Sequence, residues 1–497
     1  MSIGSTGMSL PGLSGYDFSG IIDMMVQVER LPELQMQTNQ TALQTRSDAW
    51  KDVNTRLQSL DTKLTALKDA GTWTAASVSS SNTSFLTAST SAGAAQGIYS
   101  LTITQTAAAQ TAVSAVQASA STALNLSGTF SIMSGKNATS GVQVTVAATD
   151  TLTSIASKIN GAGAGVNAAV VQTGTNQYQL SITNNSTGTD NQATFQDVSG
   201  TVLGGTGSAG LGFLSTTADP NHAGYYLAQT ITNPAVNASF TVNGIAITSQ
   251  SNTVTTAVPG VTFNFVGTVA PANPQSVTLN VSADTSVAQK AVQAFVDQYN
   301  STMDFISTKL NYDTSTKIKG DLFGDATLQG VQSRLRTMMG SIIANPSSPT
   351  GPYNTLGSVG ITTSSANFGK DATLTLDTAK FATAIAANPK AVANLFGAAY
   401  GGVTPNTTTE GLANIAHTYL YPMIMYGGTI AQTQDMLANQ IKDVKDQITQ
   451  YEQHVLNYQE QLKLRFAKLE SVLSGFNSQA SWLTTQMSSL SASTSKK

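Results

Sequence analysis

The chain has 497 residues, only 10% of them Asp, Glu, Lys or Arg, and its formal net charge is −3. About 25% charged residues is usual for a globular protein. The length indicates about three or four domains. Because 40% of the residues are hydrophobic, we expect those domains to be folded rather than disordered. A net charge so close to zero argues against binding to nucleic acid or to an anionic membrane.

The absence of cysteine excludes thiolate zinc sites, thiol nucleophiles and disulfides. Residues 1–15 lack the basic segment and the apolar segment of a secretory signal. No run of about 18 apolar residues predicts a membrane-spanning helix. Hydroxyl and amide side chains take the place of charges, which is typical of a secreted protein. We therefore expect either cytoplasmic residence or export without a signal peptide.

Two helices are predicted near the N-terminus. Asp17 is the expected N-cap of the first, which Pro32 breaks or kinks. In the second helix, apolar residues recur every seven positions in two parallel rows, the pattern of a coiled coil. Arg46 is the only interruption and lies in the second row. Gly71 is expected to end the helix. The apolar positions are Phe18, Ile21, Ile22, Met25 and Val28 in the first helix, and Leu43, Trp50, Val53, Leu57, Leu60, Leu64 and Leu67 in the second.

Residues 74–283 are predicted to form strands and turns, because apolar and polar residues alternate between clusters of Gly, Asn and Ser. A short helix over Leu152 to Asn160 interrupts them. Asn243-Gly244 predicts a hairpin with a type I′ turn. The alternating segments are 99–103, 142–146, 166–170, 178–182, 240–242, 245–247, 261–265 and 277–281.

Helices return from Ser286, where apolar residues recur at three- and four-residue spacing as far as Leu310. The remaining predictions before residue 410 are a helix over 326–343, a hairpin within 355–377, a helix over 378–396 whose second part begins at Pro389, and a loop over 401–409.

In the last segment, residues 437–476, successive apolar residues are separated alternately by four and three positions. One extra spacing of four is expected to unwind a coiled-coil supercoil locally. About forty such residues make a rod of roughly 60 Å. The rod cannot bury its apolar stripe alone, and the helix over 43–67 is its simplest partner. For 18–28 and 466–476 we expect a partner from another chain. The stripe is Leu437, Ile441, Val444, Ile448, Tyr451, Val455, Tyr458, Leu462, Phe466, Leu469, Leu473 and Phe476.

No group of residues predicts catalysis, a cofactor or a metal. His222, His417 and His454 lie in three different predicted regions and form no metal-binding motif. Residues 205–210 match G-x-G-x-x-G, but Thr230 stands where a dinucleotide site needs an acid. Asp321 and Asp325 provide too few ligands for calcium, and a turn with Asp325 as helix N-cap is the better interpretation. We therefore predict a protein that is not an enzyme.

Motifs along the whole chain resemble the filament-capping family of bacterial flagellar hook-associated proteins. Asn237, where that family often has an acid, and Leu469, where Met is usual, depart from the pattern. The matching segments are Leu13-Ser14-Gly15-Tyr16-Asp17, Glu29-Arg30-Leu31-Pro32, Trp50-Lys51-Asp52-Val53-Asn54, and residues 99–103, 152–168, 240–244, 258–262, 295–300, 320–321, 356–361, 374–377 and 465–483.

The resemblance implies an α+β multidomain fold with coiled-coil helical termini, a helical leg domain and two inserted β-rich head domains. Residues 1–40 and 451–497 would form the terminal domain, inserted in the filament. The leg domain, with a β-hairpin, would comprise 41–75 and 284–450. An inner head domain would comprise 76–118 and 226–283, and an outer head domain 119–225.

The resemblance also implies a function. The protein would cap the distal end of the flagellar filament as a homo-oligomer, with a pentamer favoured, and would help exported flagellin to fold and insert without leaking away. It would be secreted through the flagellar type III apparatus to the filament tip, outside the cell. Its partners would be other copies of itself, flagellin, hook–filament junction proteins and an export chaperone, and some relatives also bind host mucin glycans.

The residues predicted to contact flagellin or another copy lie on the helical stripes. Two alternatives stay open: a hook–filament junction protein or flagellin-like subunit, and an adhesin or glycan-binding module in the β region. The candidate residues for contact with flagellin or with another copy are Phe18, Ile21, Ile22, Met25, Val28, Trp50, Leu57, Leu64, Ile448, Tyr451, Val455, Leu462, Phe466, Leu469, Leu473 and Phe476.

Overall fold

The computed structural model describes residues 18–204, 210–364 and 373–494. Its helices are α1 (Ser19–Glu29), α2 (Leu31–Lys68), α3 (Ala70–Trp73), α4 (Leu152–Ala162), α5 (Thr285–Leu310), α6 (Ala326–Gly340), α7 (Thr378–Ala387), α8 (Pro389–Phe396), α9 (Leu412–Ile424) and α10 (Thr429–Thr494). Its strands are β1 (Ala76–Ser80), β2 (Leu86–Thr90), β3 (Gly97–Gln105), β4 (Thr111–Val113), β5 (Gly128–Ser134), β6 (Val142–Val146), β7 (Val166–Gly174), β8 (Gln177–Asn184), β9 (Ala193–Gly200), β10 (Leu214–Ala218), β11 (Tyr226–Ala228), β12 (Thr230–Asn233), β13 (Ala238–Val242), β14 (Ile245–Ser249), β15 (Thr253–Val258), β16 (Val261–Phe265), β17 (Gln275–Ala283), β18 (Ile361–Thr363) and β19 (Leu374–Leu376).

The protein has an α+β multidomain fold, as predicted. Two compact units divide the chain, one of them Met1–Asp69 with Gln289–Lys497 and the other Ala70–Ala288. We call the first the helical unit and the second the β unit, which is inserted in the sequence of the first. The finer division into four domains stays a prediction.

In the N-terminal helices, the structure confirms one predicted boundary and corrects another. Arg30 separates α1 from α2, and Pro32 lies in the first turn of α2, where its missing N–H has no helical partner to lose. The predicted end at Gly71 is wrong. Helix α2 ends at Lys68 because Asp69 is extended, and Gly71 lies inside the short helix α3. The predicted N-cap Asp17 lies outside the described residues.

Helix α9 is not expected from the sequence. It begins after Gly411 and contains Pro422 three residues before its C-cap, Met425. Both residues are ordinarily signals of a loop. Tertiary packing explains the helix, because Leu412, Ala413, Ala416 and Leu420 are all buried and α9 packs against α2.

The coiled-coil stripe of α2 forms core of the helical unit. Trp50, Leu57 and Leu64 are at most 1% exposed, and α2 packs against both α10 and α9. The predicted pairing between this helix and the C-terminal helix is therefore confirmed. A single helix could not bury so many apolar side chains by itself.

The phenol of Tyr299, on α5, is buried in this unit. Its side chain is 0% exposed, and its hydroxyl has no hydrogen-bond partner among the described residues. Burial raises the pKa of Tyr299 to about 12, against an opposing effect of the Arg336 guanidinium. The buried neutral phenol therefore resists ionisation.

We expect this phenol to make the helical unit sensitive to alkali. In the unfolded chain Tyr299 ionises near its ordinary pKa of 10. The contribution of this residue to the free energy of unfolding is therefore fully present below pH 10 and is lost as the pH rises to about 12. The loss is about 2–3 kcal/mol. Denaturant unfolding of wild type and Tyr299→Phe at pH 8 and pH 11.5 measures it. An equal loss of stability in both proteins would contradict the prediction.

The described strands of the β unit form four antiparallel sheets. In strand order they are β1-β17-β3-β13-β14, β15-β16-β2, β10-β11-β9-β5-β6 and β12-β4-β8-β7. Two hydrophobic clusters lie between them. We call the inner lobe the part around Phe240, Phe263 and Leu279, and the outer lobe the part around Phe130, Phe195 and Leu180, on which α4 packs.

Asn243-Gly244 forms the predicted two-residue turn between β13 and β14. Both residues have positive φ, 51° and 83°, as a type I′ turn requires. The Asn243 backbone N–H donates to the Ser100 carbonyl at 2.8 Å, and its side chain accepts from the Ser100 N–H at 2.9 Å. The turn therefore fixes which residues of β13 direct their backbone N–H and C=O groups towards β3 and which direct them towards β14.

A polar contact joins the two lobes. From the inner lobe, the Gln250 side chain accepts from the Asp190 N–H at 3.0 Å, and Asn237 accepts from the Thr189 N–H at 2.8 Å. Gly188 has a φ of 93°, and a Cβ there would lie 2.2 Å from the Gln250 side-chain oxygen. Only glycine allows this close approach, so Gly188 is required where the outer lobe meets Gln250 of the inner lobe.

Candidate interaction surface

Helix α1 packs along the middle of α10 through one small apolar cluster. At its centre are Val26, Val455 and Leu462, with Ile22, Tyr451, Tyr458 and Phe466 packed around them. The rings of Phe18 and Phe466 lie 5.3 Å apart, centroid to centroid. The single apolar stripe of α10 therefore packs against two helices in succession along its length, first α2 and then α1.

Polar contacts around Glu29 fix the junction of α1 and α2 against α10. The Tyr451 hydroxyl donates to the Glu29 carbonyl at 3.0 Å, and His454 Nε2 lies 3.0 Å from Glu29 Oε1. Burial, followed by the negative charges of Glu29 and Glu33, raises the pKa of Tyr451. The raised pKa extends towards higher pH the range in which this phenol stays protonated and can donate.

The outer face of α1 is apolar and exposed. Ile21, Met24, Met25 and Val28 are all exposed, with 66% of Val28 accessible. Together with Glu29 and Tyr458 they line a shallow groove of about 270 Å³. A small helix that shows apolar residues on both sides is suited to a second partner.

The end of α10 is apolar and exposed as well. Beyond Phe466 the helix continues to Thr494. Phe476 is 61% exposed and Trp482 62%. We call this segment, residues 469–487, the distal stripe; its other exposed apolar residues are Leu469, Val472, Leu483 and Met487. Exposed large apolar residues in such number are typical of a binding surface.

The predicted contact residues thus fall into three groups. Trp50, Leu57, Leu64, Ile448, Val455 and Leu462 are buried within this chain. In this structure their side chains stabilise the subunit and offer no surface to another. Tyr451, Ile22, Phe18 and Phe466 are partly covered by the α1–α10 cluster, and Leu473 is partly covered as well. Ile21, Met25, Val28, Leu469 and Phe476 are exposed. Periodicity missed Met24, Trp482 and Leu483, which lie off the predicted stripe.

Each of the three histidines lies beside a carboxylate. His222 lies 2.6 Å from Asp219, and His417 lies 2.8 Å from Asp61. Asp325 caps α6 by accepting from the Thr327 and Leu328 N–H groups, as predicted. In the described ranges no group of three or more His, Asp or Glu residues is placed to hold a metal. Residues 205–209 of the G-x-G-x-x-G match lie outside those ranges.

None of the described helices is long and apolar enough to cross a membrane. The exposed apolar residues at the end of α10 alternate with polar ones, and the distal stripe lies on a helix whose other residues include Lys468, Ser474 and Gln479. In the helical unit α1 packs on the middle of α10, while the outer face of α1 and the end of α10 are apolar and exposed. These features, with a β unit inserted in the sequence, are typical of a structural protein that assembles with other chains.

Comparison with known proteins identifies the family. Residues 14–110 match the model of the flagellar hook-associated protein 2 N-terminus, residues 235–478 match that of its C-terminus, and residues 125–186 match the flagellin hook IN motif. Flagellar hook-associated protein 2 of Escherichia coli K12 is 30% identical over 496 residues, 98% of each chain. The B-type protein of Pseudomonas aeruginosa is 28% identical over 500 residues, also 98% of each.

A solved structure is similar in fold. The crystal structure of the D1–D2–D3 domains of the flagellar cap protein FliD from Escherichia coli aligns with a TM-score of 0.61 and 28% identity. The alignment covers 78% of this chain and 99% of that one. The chain belongs to the flagellar hook-associated protein 2 family, a family of structural flagellar filament cap proteins.

Proposed function

We propose that this protein caps the distal end of the bacterial flagellar filament and promotes the folding and insertion of exported flagellin. The full-length similarity to flagellar hook-associated protein 2 of Escherichia coli carries the proposal, since it covers 98% of both chains. The role is mechanical: a cap confines the emerging subunit until its apolar helices have packed. It needs no catalytic group.

The two exposed apolar surfaces support the contacts with the filament. The outer face of α1 and the distal stripe of α10 are helical surfaces of the kind that pack against other helices in a bundle. We assign the contacts with flagellin and with hook–filament junction proteins to these surfaces, including Ile21, Met25, Val28 and Phe476. The buried residues Trp50, Leu57 and Leu64 support those surfaces from within.

The domain plan follows from the same proposal. Residues 1–40 with 451–497 form the terminal domain that inserts in the filament, and 41–75 with 284–450 form the leg. Residues 76–118 with 226–283 form the inner head domain and 119–225 the outer head domain, although strands β4 and β12, outside 119–225, belong to a sheet of the outer lobe. Their few charges and the absence of cysteine suit a protein that is exported unfolded, held by a chaperone before secretion, and folded outside the cell at the filament tip.

The cap acts as a homo-oligomer, with a pentamer favoured. Adhesion to host mucin is a further role of the two head domains. Expression of the chain in a flagellated strain that lacks its own cap protein tests the proposal. We expect filaments to be restored and flagellin monomer in the medium to fall. Electron microscopy of the purified chain should show closed plates. A strain left with hooks but no filaments, together with no plates from the purified chain, would instead indicate a junction protein.

A further inference from the structure

Methionine is the only sulfur-containing residue type of this chain, which has 13 methionines and no cysteine. An oxidant that reaches the thioether of methionine converts it to a sulfoxide, which is polar. The structure divides the described methionines by exposure. Met133, Met303, Met338 and Met339 are at most 5% exposed. The exposed ones are Met24, Met25, Met425, Met436 and Met487.

Two of the exposed methionines are neighbours on the outer face of α1. Met24 is 61% exposed and Met25 is 38% exposed. Both line the shallow groove on that face, together with the apolar side chains of Ile21 and Val28. An oxidant dissolved in the medium can therefore reach both side chains. They also make up a large part of the apolar surface that α1 offers to a partner.

The opposite face of α1 holds this helix in place and contains no methionine. Ile22 and Val26 pack there against Val455 and Leu462 of α10. Oxidation of Met24 therefore adds no polar group to the α1–α10 cluster. The chemical change is confined to the outer face, so the subunit is expected to stay folded after it.

The reaction of a thioether with a hydroperoxide needs no further reagent. The sulfur attacks one peroxide oxygen, and the O–O bond breaks as the S–O bond forms. The proton on the transferred oxygen passes to the departing hydroxide, which leaves as water when the reagent is hydrogen peroxide. The sulfur is oxidised by two electrons and the peroxide is reduced by two electrons, so the side chain gains one oxygen atom.

We propose that Met24 and Met25 form a peroxide modification site that turns off the binding surface of α1. The inference rests on the proposed contact between α1 and the filament, and it names a way in which that contact is regulated. A sulfoxide oxygen that is buried without a hydrogen-bond donor weakens the contact that buries it. The groove offers few donors, because a carboxylate such as that of Glu29 only accepts hydrogen bonds.

The hydroxyl of Tyr458 is the one side-chain donor among the residues that line this groove. One hydroxyl can satisfy one of the two sulfoxides. The other is left without a partner when an apolar helix face covers the groove. Oxidation of both residues should therefore weaken the contact by about tenfold or more. Methionine sulfoxide reductases convert the product back to the thioether, so the effect is reversible.

The test uses full-length chains that differ only at chosen methionines. The parent carries Met487→Leu, which removes the exposed thioether of the distal stripe. The test variant adds Met24→Leu/Met25→Leu to the parent. The matched control instead adds Met425→Leu/Met436→Leu, because these two methionines are exposed and do not line the groove on α1. Each protein is treated with dilute hydrogen peroxide, and peptide mass spectrometry locates the added oxygen.

Binding is measured before and after oxidation, so that each protein is its own reference. The probe is short filaments polymerised from purified flagellin, and the readout is the fraction of the chain that sediments with them. We expect oxygen at Met24 and Met25 well before Met303 and Met338. Binding by the parent and the control should fall about tenfold or more, whereas binding by the test variant should change by less than about twofold. Methionine sulfoxide reductases should restore binding by the parent.

Two results would overturn the inference. One is oxidation of Met24 and Met25 no faster than that of the buried Met303 and Met338. The other is a loss of binding that is equal in the parent and the test variant, or absent from both. The measurement before oxidation separates the two proposals. A parent that does not bind filaments at all contradicts the proposed function, whereas binding that survives full oxidation contradicts only the peroxide site.

Discussion

A chain that ends at Glu470 is expected to fold its helical unit normally and yet fail to retain flagellin at the filament tip. The truncation leaves the α1–α10 cluster around Val455 and Leu462 intact. It removes most of the distal stripe, including Phe476, Trp482 and Leu483, which are all more than half exposed. Burial of one such side chain stabilises a contact by about 1.5–3 kcal/mol.

The loss of those three side chains should therefore weaken attachment to the filament by about three orders of magnitude or more. The measurement is the amount of flagellin monomer in the medium of a strain whose only cap protein is the truncated chain, together with filament length by electron microscopy. We expect abundant monomer and short or absent filaments. The circular dichroism of the purified protein should lose only the helix that was removed.

A substitution series separates the apolar stripe from the length of the helix. The variant Phe476→Ser/Trp482→Ser/Leu483→Ser should leak flagellin as the truncation does. The matched control Asn477→Ser/Gln479→Ser/Thr484→Ser changes exposed polar residues of the same turns and should leave assembly unchanged. Filaments of normal length from the apolar triple variant would refute the assignment of the filament contact to this segment.

The second large effect is expected in the core of the helical unit. Leu57 on α2 is 0% exposed, and Leu57→Ala should destabilise the unit by about 2–5 kcal/mol because it leaves a cavity. Leu34 lies on the same helix with 54% of its side chain exposed. Leu34→Ala should change the stability by less than about 0.5 kcal/mol.

Denaturant unfolding followed by helical circular dichroism measures both variants. The reversed order of the two effects, or equal effects, would mean that α2 does not pack against α9 and α10 in solution as it does here. The pair also separates stability from assembly. Leu57→Ala should reduce assembly only through the loss of folded protein, so a lower temperature should restore filaments, whereas it should not rescue the apolar triple variant of the distal stripe.

Local patterns were sufficient for most of the secondary structure. The alternation in 240–247 with Asn243-Gly244 predicted the β13–β14 hairpin because a type I′ turn needs two residues that tolerate positive φ. Asp325 was predicted as an N-cap because its short carboxylate reaches the first free N–H groups of a helix. Helix α9 was not predicted, since packing against α2 overrode the local signals of Gly411 and Pro422.

The sequence by itself determined that this is a cysteine-free, charge-poor α+β protein with heptad helices at both ends and strands between them. Those properties follow from composition and from spacing along the chain. Only the tertiary structure decided which apolar residues are core and which are surface. Leu57 and Phe476 have the same periodic signature, yet one is buried and the other is 61% exposed. Periodicity places a side chain on a face of a helix, whereas the elements packed beside it decide whether that face is covered.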